Sequence, residues 1–332
     1  MVELPHEMKA VLLTEVGVDF KLIDACIPVP QLSDQEVLVK IEYVGLTGLD
    51  AKFVQQGTPC WQYPRVFGLD AVGVVVAGPK GGHPEVGARV MWHNDIASEG
   101  VLSEYVKVPN FALTVLPADI NPALAASLPT PGMTALIALY KLQLEEGDTI
   151  FIESGNTCVG QLAVQMAYQQ GLTVITSSPK QCTTALKKLG AELVLDENDA
   201  DIGQKIQKHF GYDTVHGVID MSGKYTNKLL EFLQFCGRIS CVSGLATLDE
   251  TLLFKKAPNI GIVSLPGAWL AKSICAQQRM SFLGNVLTDY LQQEQLCLSE
   301  KEVIAFDAVS IYEALIARIN GNSHFYQVVK VA

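Results

Sequence analysis

The chain has 332 residues, 49% of them hydrophobic and 18% charged, with a formal net charge of −11 and a pI near 5.0. That length supports two domains with buried cores, and the composition excludes an intrinsically disordered chain. The negative balance repels polyanions, which argues against nucleic acid or an anionic membrane as the main partner.

The opening MVELPHEMKA lacks an apolar segment and no run approaches 18 uncharged apolar residues, so neither a secretion signal nor a membrane span is expected. Eight scattered cysteines without a C-x-x-C pair read as reduced, buried thiols of a cytoplasmic protein. The first 120 residues are predicted to be β-rich: Glu36 to Val44 alternates in places, and Ala71 to Ala77 is a β-branched run bounded by glycines. Short strands at this spacing suggest a barrel-like domain. Residues 123–142 read as helical, with Pro129 and Pro131 marking a break and a fresh helix start.

A regular alternation follows. Strands are predicted near 149–153, 172–177, 192–196, 215–221, 238–243 and 260–265, and helices near 159–170, 180–189, 200–210 and 224–235. Alternation of this kind favours a parallel sheet covered on both faces, and six strands suit a full dinucleotide-binding fold. Beyond Pro266 the pattern is helical to about Gln295, then gives a strand at 303–306, a helix at 310–320 and a last strand at 327–331. The closing pieces are expected to rejoin the first domain.

Asp148 to Gly160 (DTIFIESGNTCVG) is a strand, a tight turn and a helix start. Such a turn presents backbone N–H groups to an anion, which points to a phosphate cradle. In a G-x-G-x-x-G frame Gly155 and Gly160 hold the outer places and Thr157 the middle one, a partial pattern that many packing turns also show. Asp or Glu ending the second strand would bind a ribose 2′-hydroxyl, but here the stretch is Val174 to Lys180, VITSSPK. Its Ser177, Ser178 and Lys180 suit a 2′-phosphate, hence NADPH, or form a plain polar turn. The acidic clusters at Glu145-Glu146 and 197–201 fit solvated turns.

Taken in order, MKAVLL (8–13), EVLVKIEYVGLTGLDAK (36–52), FGLDAVGVVVAG (67–78), VGARVMW (86–92), LSEYVKVP (102–109), AASLPTPGMTALIAL (125–139), the 148–166 turn and GRISCVSG (237–244) resemble the medium-chain dehydrogenase/reductase family. Within it the resemblance is to the zinc-free, zeta-crystallin-like quinone oxidoreductases. It implies an α/β fold in which a six-stranded Rossmann domain (124–266) is inserted in a β-rich GroES-like catalytic domain (1–123 and 267–332). The places where zinc-dependent members put their metal ligands read Thr47, Leu69 and Thr130, and residues 61–157 contain no cysteine for a structural zinc lobe. None of the three can supply the nitrogen or thiolate ligand zinc needs, so no metal is expected.

The same resemblance implies a homodimer, with the apolar strand 260–265 as a candidate edge, and a small-molecule quinone or enone as hydride acceptor. Thr47 is expected beside the nicotinamide as donor to the acceptor's oxygen, or as a packing residue. Tyr63 is a candidate phenolic donor or aromatic wall, His93 a candidate acid, and Lys52 a donor or a solvated lysine. The cradle candidates are Gly155, Asn156, Thr157, Cys158, Val159 and Gly160, with Thr130, Thr134 and Gly244 on the nicotinamide and ribose side. Asp50 reads as structural, with a catalytic role as the alternative, and His6, His83, His209, His216 and His324 show no partner in the sequence. Thr157, Leu49 and the Tyr326-Gln327 ending depart from the family pattern. They leave open a non-catalytic NADPH-binding paralogue and the reductase of another small carbonyl.

Overall fold

The structure is a computed structural model that describes residues 4–211, 215–298, 301–321 and 326–332; His324 lies outside them. The chain divides into two compact units, one of Met1–Met133, Leu265–Glu294 and Leu298–Ala332, the other of Thr134–Ser264 and Gln295–Cys297.

The first unit begins with β1 (Glu7–Glu15), β2 (Lys21–Pro28) and β3 (Glu36–Leu46), followed by α1 (Gly48–Gln56). Then come β4 (Arg65–Val66), β5 (Asp70–Ala77), β6 (Arg89–His93), β7 (Tyr105–Pro109) and β8 (Thr114–Val115). Two helices follow, α2 (Pro122–Ala125) and α3 (Pro129–Leu142). Both prolines lie in the first turn of α3, where a helix has no use for their missing N–H.

The second unit carries β9 (Thr149–Ile152), α4 (Cys158–Gln169), β10 (Thr173–Ser178), α5 (Thr183–Lys188) and β11 (Leu193–Asp196). It continues through α6 (Ile202–Phe210), β12 (Val215–Asp220), α7 (Thr226–Phe232), β13 (Leu233–Cys241), α8 (Glu250–Lys256) and β14 (Asn259–Ile262). The chain then returns to the first unit with α9 (Gly267–Leu270), α10 (Ile274–Gln292), β15 (Lys301–Ala305), α11 (Ala308–Ile319) and β16 (Tyr326–Lys330).

The second unit is a six-stranded, all-parallel sheet of order β11-β10-β9-β12-β13-β14. The order reverses between β9 and β12, the place where open α/β sheets bind ligands at the strands' carboxyl ends. The first unit is β-rich: a three-stranded sheet β2-β1-β4 and a seven-stranded sheet of order β15-β16-β3-β5-β6-β8, with β7 paired to β3. Its pairings are antiparallel apart from β15 with β16. The expected α/β class, a parallel Rossmann sheet with a β-rich companion, is what the chain adopts.

Three expectations need correction. The helix predicted over 224–235 ends at Phe232, and Leu233 already pairs with Val215. A register shift between Val215 and Gly217, with Cys236 at φ 57°, lets β13 start early. The thiols are less hidden than expected: none is in a disulfide, yet Cys26, Cys60, Cys236, Cys275 and Cys297 are exposed and only Cys241 is buried. His216 has partners after all, since its Nδ1 accepts the Thr149 amide at 2.9 Å and its Nε2 lies 3.5 Å from Asp148 Oδ1. No helix among the described residues is long and apolar enough to cross a membrane.

Close backbone approach fixes the end of β3. A Cβ on Gly45 would stand 2.1 Å from the Ala126 carbonyl oxygen and 3.2 Å from the Asp70 Cβ. Gly45→Ala should therefore destabilise the protein by about 1–3 kcal/mol through overpacking, read as a lowered urea midpoint at unchanged m-value.

Candidate functional site

In the first unit β3 stops at Leu46 and Thr47 caps α1. Asp50, three residues on, completes a capping box: its Oδ2 accepts the Thr47 amide at 2.8 Å and the Thr47 hydroxyl at 2.7 Å, while Thr47 Oγ1 accepts the Leu49 amide at 3.2 Å. Asp50 is only 2% exposed and its Oδ1 has no hydrogen-bond partner. Burial pushes its carboxyl up to about 6, with Asp70 adding to the shift and the two Thr47 bonds and His93 opposing it.

A second buried carboxylate lies where β5 begins. Asp70 sits beside His93, the last residue of β6, and both are 0% exposed. Asp70 Oδ1 accepts the Thr130 hydroxyl at 2.7 Å and lies 3.0 Å from His93 Nδ1; Oδ2 accepts the Thr130 amide at 2.7 Å. Thr130 opens α3, so a helix N-terminus also faces this anion. The carboxylate dictates that His93 carries its proton on Nδ1, and His93 Nε2 is left buried without a partner. His93 is therefore no surface acid. Thr47, Asp50, Asp70, His93 and Thr130 form one polar cluster.

The other two candidates of this unit stand outside that cluster. Tyr63 is exposed and packs edge-on to Trp61 at 6.5 Å; Trp61 in turn stacks near Phe53 at 5.4 Å and donates its Nε1–H to the Ile96 carbonyl at 2.7 Å. Burial of part of the ring pushes the Tyr63 hydroxyl up, so it stays protonated. Lys52 is exposed on α1.

In the second unit the turn between β9 and α4 is pinned to the end of β10. The Ser154 amide donates to Ser177 Oγ at 3.1 Å and the Gly155 amide to the Ser177 carbonyl at 2.9 Å. Here glycine is required: a Cβ on Gly155 would meet Thr176 Oγ1 at 2.2 Å, and one on Gly160 would meet the Ser154 carbonyl oxygen at 2.4 Å. Thr157 caps α4, its Oγ1 accepting the Gly160 amide at 3.0 Å and donating to the Ser154 carbonyl at 2.9 Å. Its hydroxyl is thus committed to the cap, and its side chain is exposed at the middle place of the turn. Asn156 Oδ1 is buried with no partner, while Cys158 and Val159 are half-buried in the first turn of the helix.

Ser178 is buried and donates to the Pro179 carbonyl at 3.2 Å, whereas Lys180 is 84% exposed and pairs with Asp196 Oδ2 at 3.4 Å. Thr134 is buried on α3, and Gly244, at φ 147°, lies with its backbone against Gly223. Glu153 and Asp220 stand at the carboxyl ends of the two central strands. Glu153 accepts the amides of Met221 and Ser222 at 2.8 and 2.9 Å, and burial pushes its carboxyl up, with Asp220 adding to the shift.

Residues 33–118 match the family model described as the alcohol dehydrogenase GroES-like domain, and residues 158–280 the one described as zinc-binding dehydrogenase. A zinc-type alcohol dehydrogenase-like protein of Staphylococcus aureus is 30% identical over 237 residues, which cover 69% of this chain and 70% of that protein. The chain belongs to the medium-chain dehydrogenase/reductase superfamily. An NADPH-dependent alkenal/one oxidoreductase of Arabidopsis thaliana is 30% identical over 263 residues, covering 74% of this chain and 64% of its own. The fold is that of mycobacterial Rv1454c, solved in complex with NADPH, at a TM-score of 0.84 and 24% identity over 98% of this chain and 100% of that one.

As a superfamily member the chain is an NAD(P)H oxidoreductase, and the residues at hand fit a dinucleotide. The turn opens a 12-residue helix, whose N-terminus is a favourable place for an anion, and the orphaned Asn156 Oδ1 has capacity for a ligand hydroxyl. The Thr47 and Thr130 hydroxyls are bonded to carboxylates and Leu69 is an apolar buried side chain. Among the described residues, no group of three or more His, Cys, Asp or Glu side chains could hold a metal ion.

The sequence alone does not single out Asp70 or the Glu153–Asp220 pair, whose partners lie far off in the chain. Asp50 did leave a signal, the Thr-x-x-Asp spacing of a capping box; Asp70 left only an acid at the head of an apolar strand. Because the Asp50 carboxyl is raised in the folded chain, native protein holds a proton that unfolded protein has released between the ordinary carboxylate range and about pH 6. Stability is lost as pH rises through that window. Asp50→Asn keeps the shape without the charge, so its stability relative to the parent should improve by about 3 kcal/mol between pH 4 and pH 7.5, measured by urea unfolding at both.

Proposed function

We propose that this protein is an NADPH-dependent reductase of quinones or α,β-unsaturated carbonyls that works without zinc. One observation carries the reading: Thr47 and Thr130, at two of the superfamily's metal-ligand places, are hydroxyl groups each tied to a buried carboxylate. A metal in an alcohol dehydrogenase acidifies an alcohol O–H, and hydroxyls held this way offer no such Lewis acid. They suit an acceptor that is already electrophilic and takes a hydrogen bond at its oxygen once the Thr47 hydroxyl is released from Asp50.

In this reading 1–123 and 267–332 carry the acceptor site and 124–266 the cofactor site. Thr47 donates to the acceptor's oxygen, and Trp61 with Tyr63 supplies an aromatic wall. Residues 154–160, Ser177, Ser178, Lys180, Thr134 and Gly244 would hold the dinucleotide, which when bound supplies the hydride. β10 ends without a carboxylate of its own, and the Lys180–Asp196 pair is a surface contact of about 0–1 kcal/mol, which leaves Lys180 able to meet a 2′-phosphate. The names of the Arabidopsis relative and of the mycobacterial complex support the same coenzyme. The second reading, NADPH binding without turnover, draws on Thr157, whose exposed side chain stands where a glycine would let pyrophosphate approach.

NADPH oxidation with a panel of simple quinones and enones separates the two: acceptor-dependent turnover supports the reductase, and tight binding without it the silent paralogue. Lys180→Ala should raise the Kd for NADPH about tenfold and leave that for NADH unchanged in fluorescence titration. The edge strand β14 is the candidate homodimer contact; Ile262, 48% exposed there, should give a monomer in analytical ultracentrifugation when changed to lysine.

A further inference from the structure

Two atoms of the buried cluster lack any hydrogen-bond partner, Asp50 Oδ1 and His93 Nε2. A carboxylate oxygen left bare in a dry site is costly, whereas the carbonyl oxygen of a neutral acid tolerates that place far better. The geometry therefore favours a proton on Asp50, and burial raises its carboxyl in the same direction. Its other oxygen, Oδ2, is the one bonded to the Thr47 hydroxyl at 2.7 Å. While Asp50 is ionised, that hydroxyl must donate inward to it. With a proton on Oδ2 the bond reverses, and the Thr47 hydroxyl is released to donate elsewhere.

We propose that Asp50 stores the proton for the reduction and passes it to the acceptor through the Thr47 hydroxyl. The inference rests on the reductase reading above. Hydride addition from the dinucleotide to a quinone or enone brings two electrons and leaves an oxyanion. The Thr47 Oγ–H bond breaks as the product O–H forms, and the Asp50 Oδ2–H bond breaks as Thr47 regains its hydrogen. Asp50 is left as a carboxylate and takes a proton back from water after the product departs. Asp50 is thus the positioning residue of Thr47 as well as its source of protons.

Of the titratable groups acting on Asp50, Asp70 favours its neutral form and His93 opposes that shift. Asp70 in turn locks His93 through Nδ1. The helix α11, packed on α1, buries Ile311, Ala314 and Leu315 and leaves Glu313 exposed; Lys52 on α1 is also exposed. Both of these charges are solvent-exposed, whereas Asp50 is buried.

Asp50→Asn tests the relay, because an amide can keep its oxygen toward Thr47 but has no proton to give. In the wild type, kcat/KM should fall as pH rises past about 6, as the store empties. In the variant that limb and the solvent deuterium isotope effect should vanish and the rate drop about 100-fold, with the NADPH Kd unchanged. Thr47→Val should show the same loss. In the cofactor-free wild type, ¹³C NMR should show one aspartate carboxyl titrating near pH 6, absent from Asp50→Asn and retained in Thr47→Val. A wild-type Asp50 that titrates in the ordinary carboxylate range overturns the proposal, whether or not the variant folds. An active wild type with an Asp50→Asn variant of equal rate and pH profile overturns the relay alone. A wild type that binds NADPH but reduces no acceptor overturns the reductase reading, and the relay falls with it.

Discussion

A carboxylate taken wholly out of water must be surrounded by donors or give up its charge. Asp70 meets the first condition, drawing on the Thr130 amide, the Thr130 hydroxyl and the His93 ring from positions 60 and 23 residues away in sequence. Those bonds tie the head of β5 to the tail of β6 and the start of α3. Removing one partner from such a buried anion typically costs several kcal/mol, so the three elements stand or fall together. Asp50 meets that first condition only in part: its Oδ2 accepts two bonds from Thr47, its Oδ1 has no partner, and burial pushes its carboxyl up to about 6. The same chain thus holds two buried acids that differ in how fully donors surround them.

The cradle in the second unit follows a different rule, that of backbone crowding. Ser177 receives two successive amides of the turn, and Thr176 donates to the Ile152 carbonyl at 2.7 Å, leaving no room for a side chain at 155. The turn is built by its neighbours on β10 as much as by its own glycines. This explains how it keeps its form with threonine at the middle place: Thr157 folds its hydroxyl into the cap and stabilises the helix it opens.

Much of the α/β architecture was legible because parallel strands buried on both faces read as apolar runs, and the intervening helices have the right length to cross the sheet. The failure at 224–235 has a physical source. LLEFLQF is as apolar as a helix face, and what ends α7 is pairing with Val215, a contact the local sequence does not encode. The resemblance points to Thr47, Leu69 and Thr130 as the places of the zinc ligands, and threonine and leucine cannot do the work of cysteine and histidine. What replaced the ligands could not be read, because Asp70 acquires its role only through distant donors. Burial of the thiols was misjudged for the same reason: Cys236 and Cys241 share one strand, yet one is exposed and the other buried.

In the proposed reading, the contact between Lys180 and Asp196 would make coenzyme choice an exchange reaction. An arriving phosphate would not find a bare cation; it would compete with a carboxylate already in place, whose own charge is stabilised by the Asn198 amide and by that lysine. The net gain is the difference between two ion pairs rather than the whole of one. Discrimination set in this way would be modest in size, and position 196 would tune it as much as position 180.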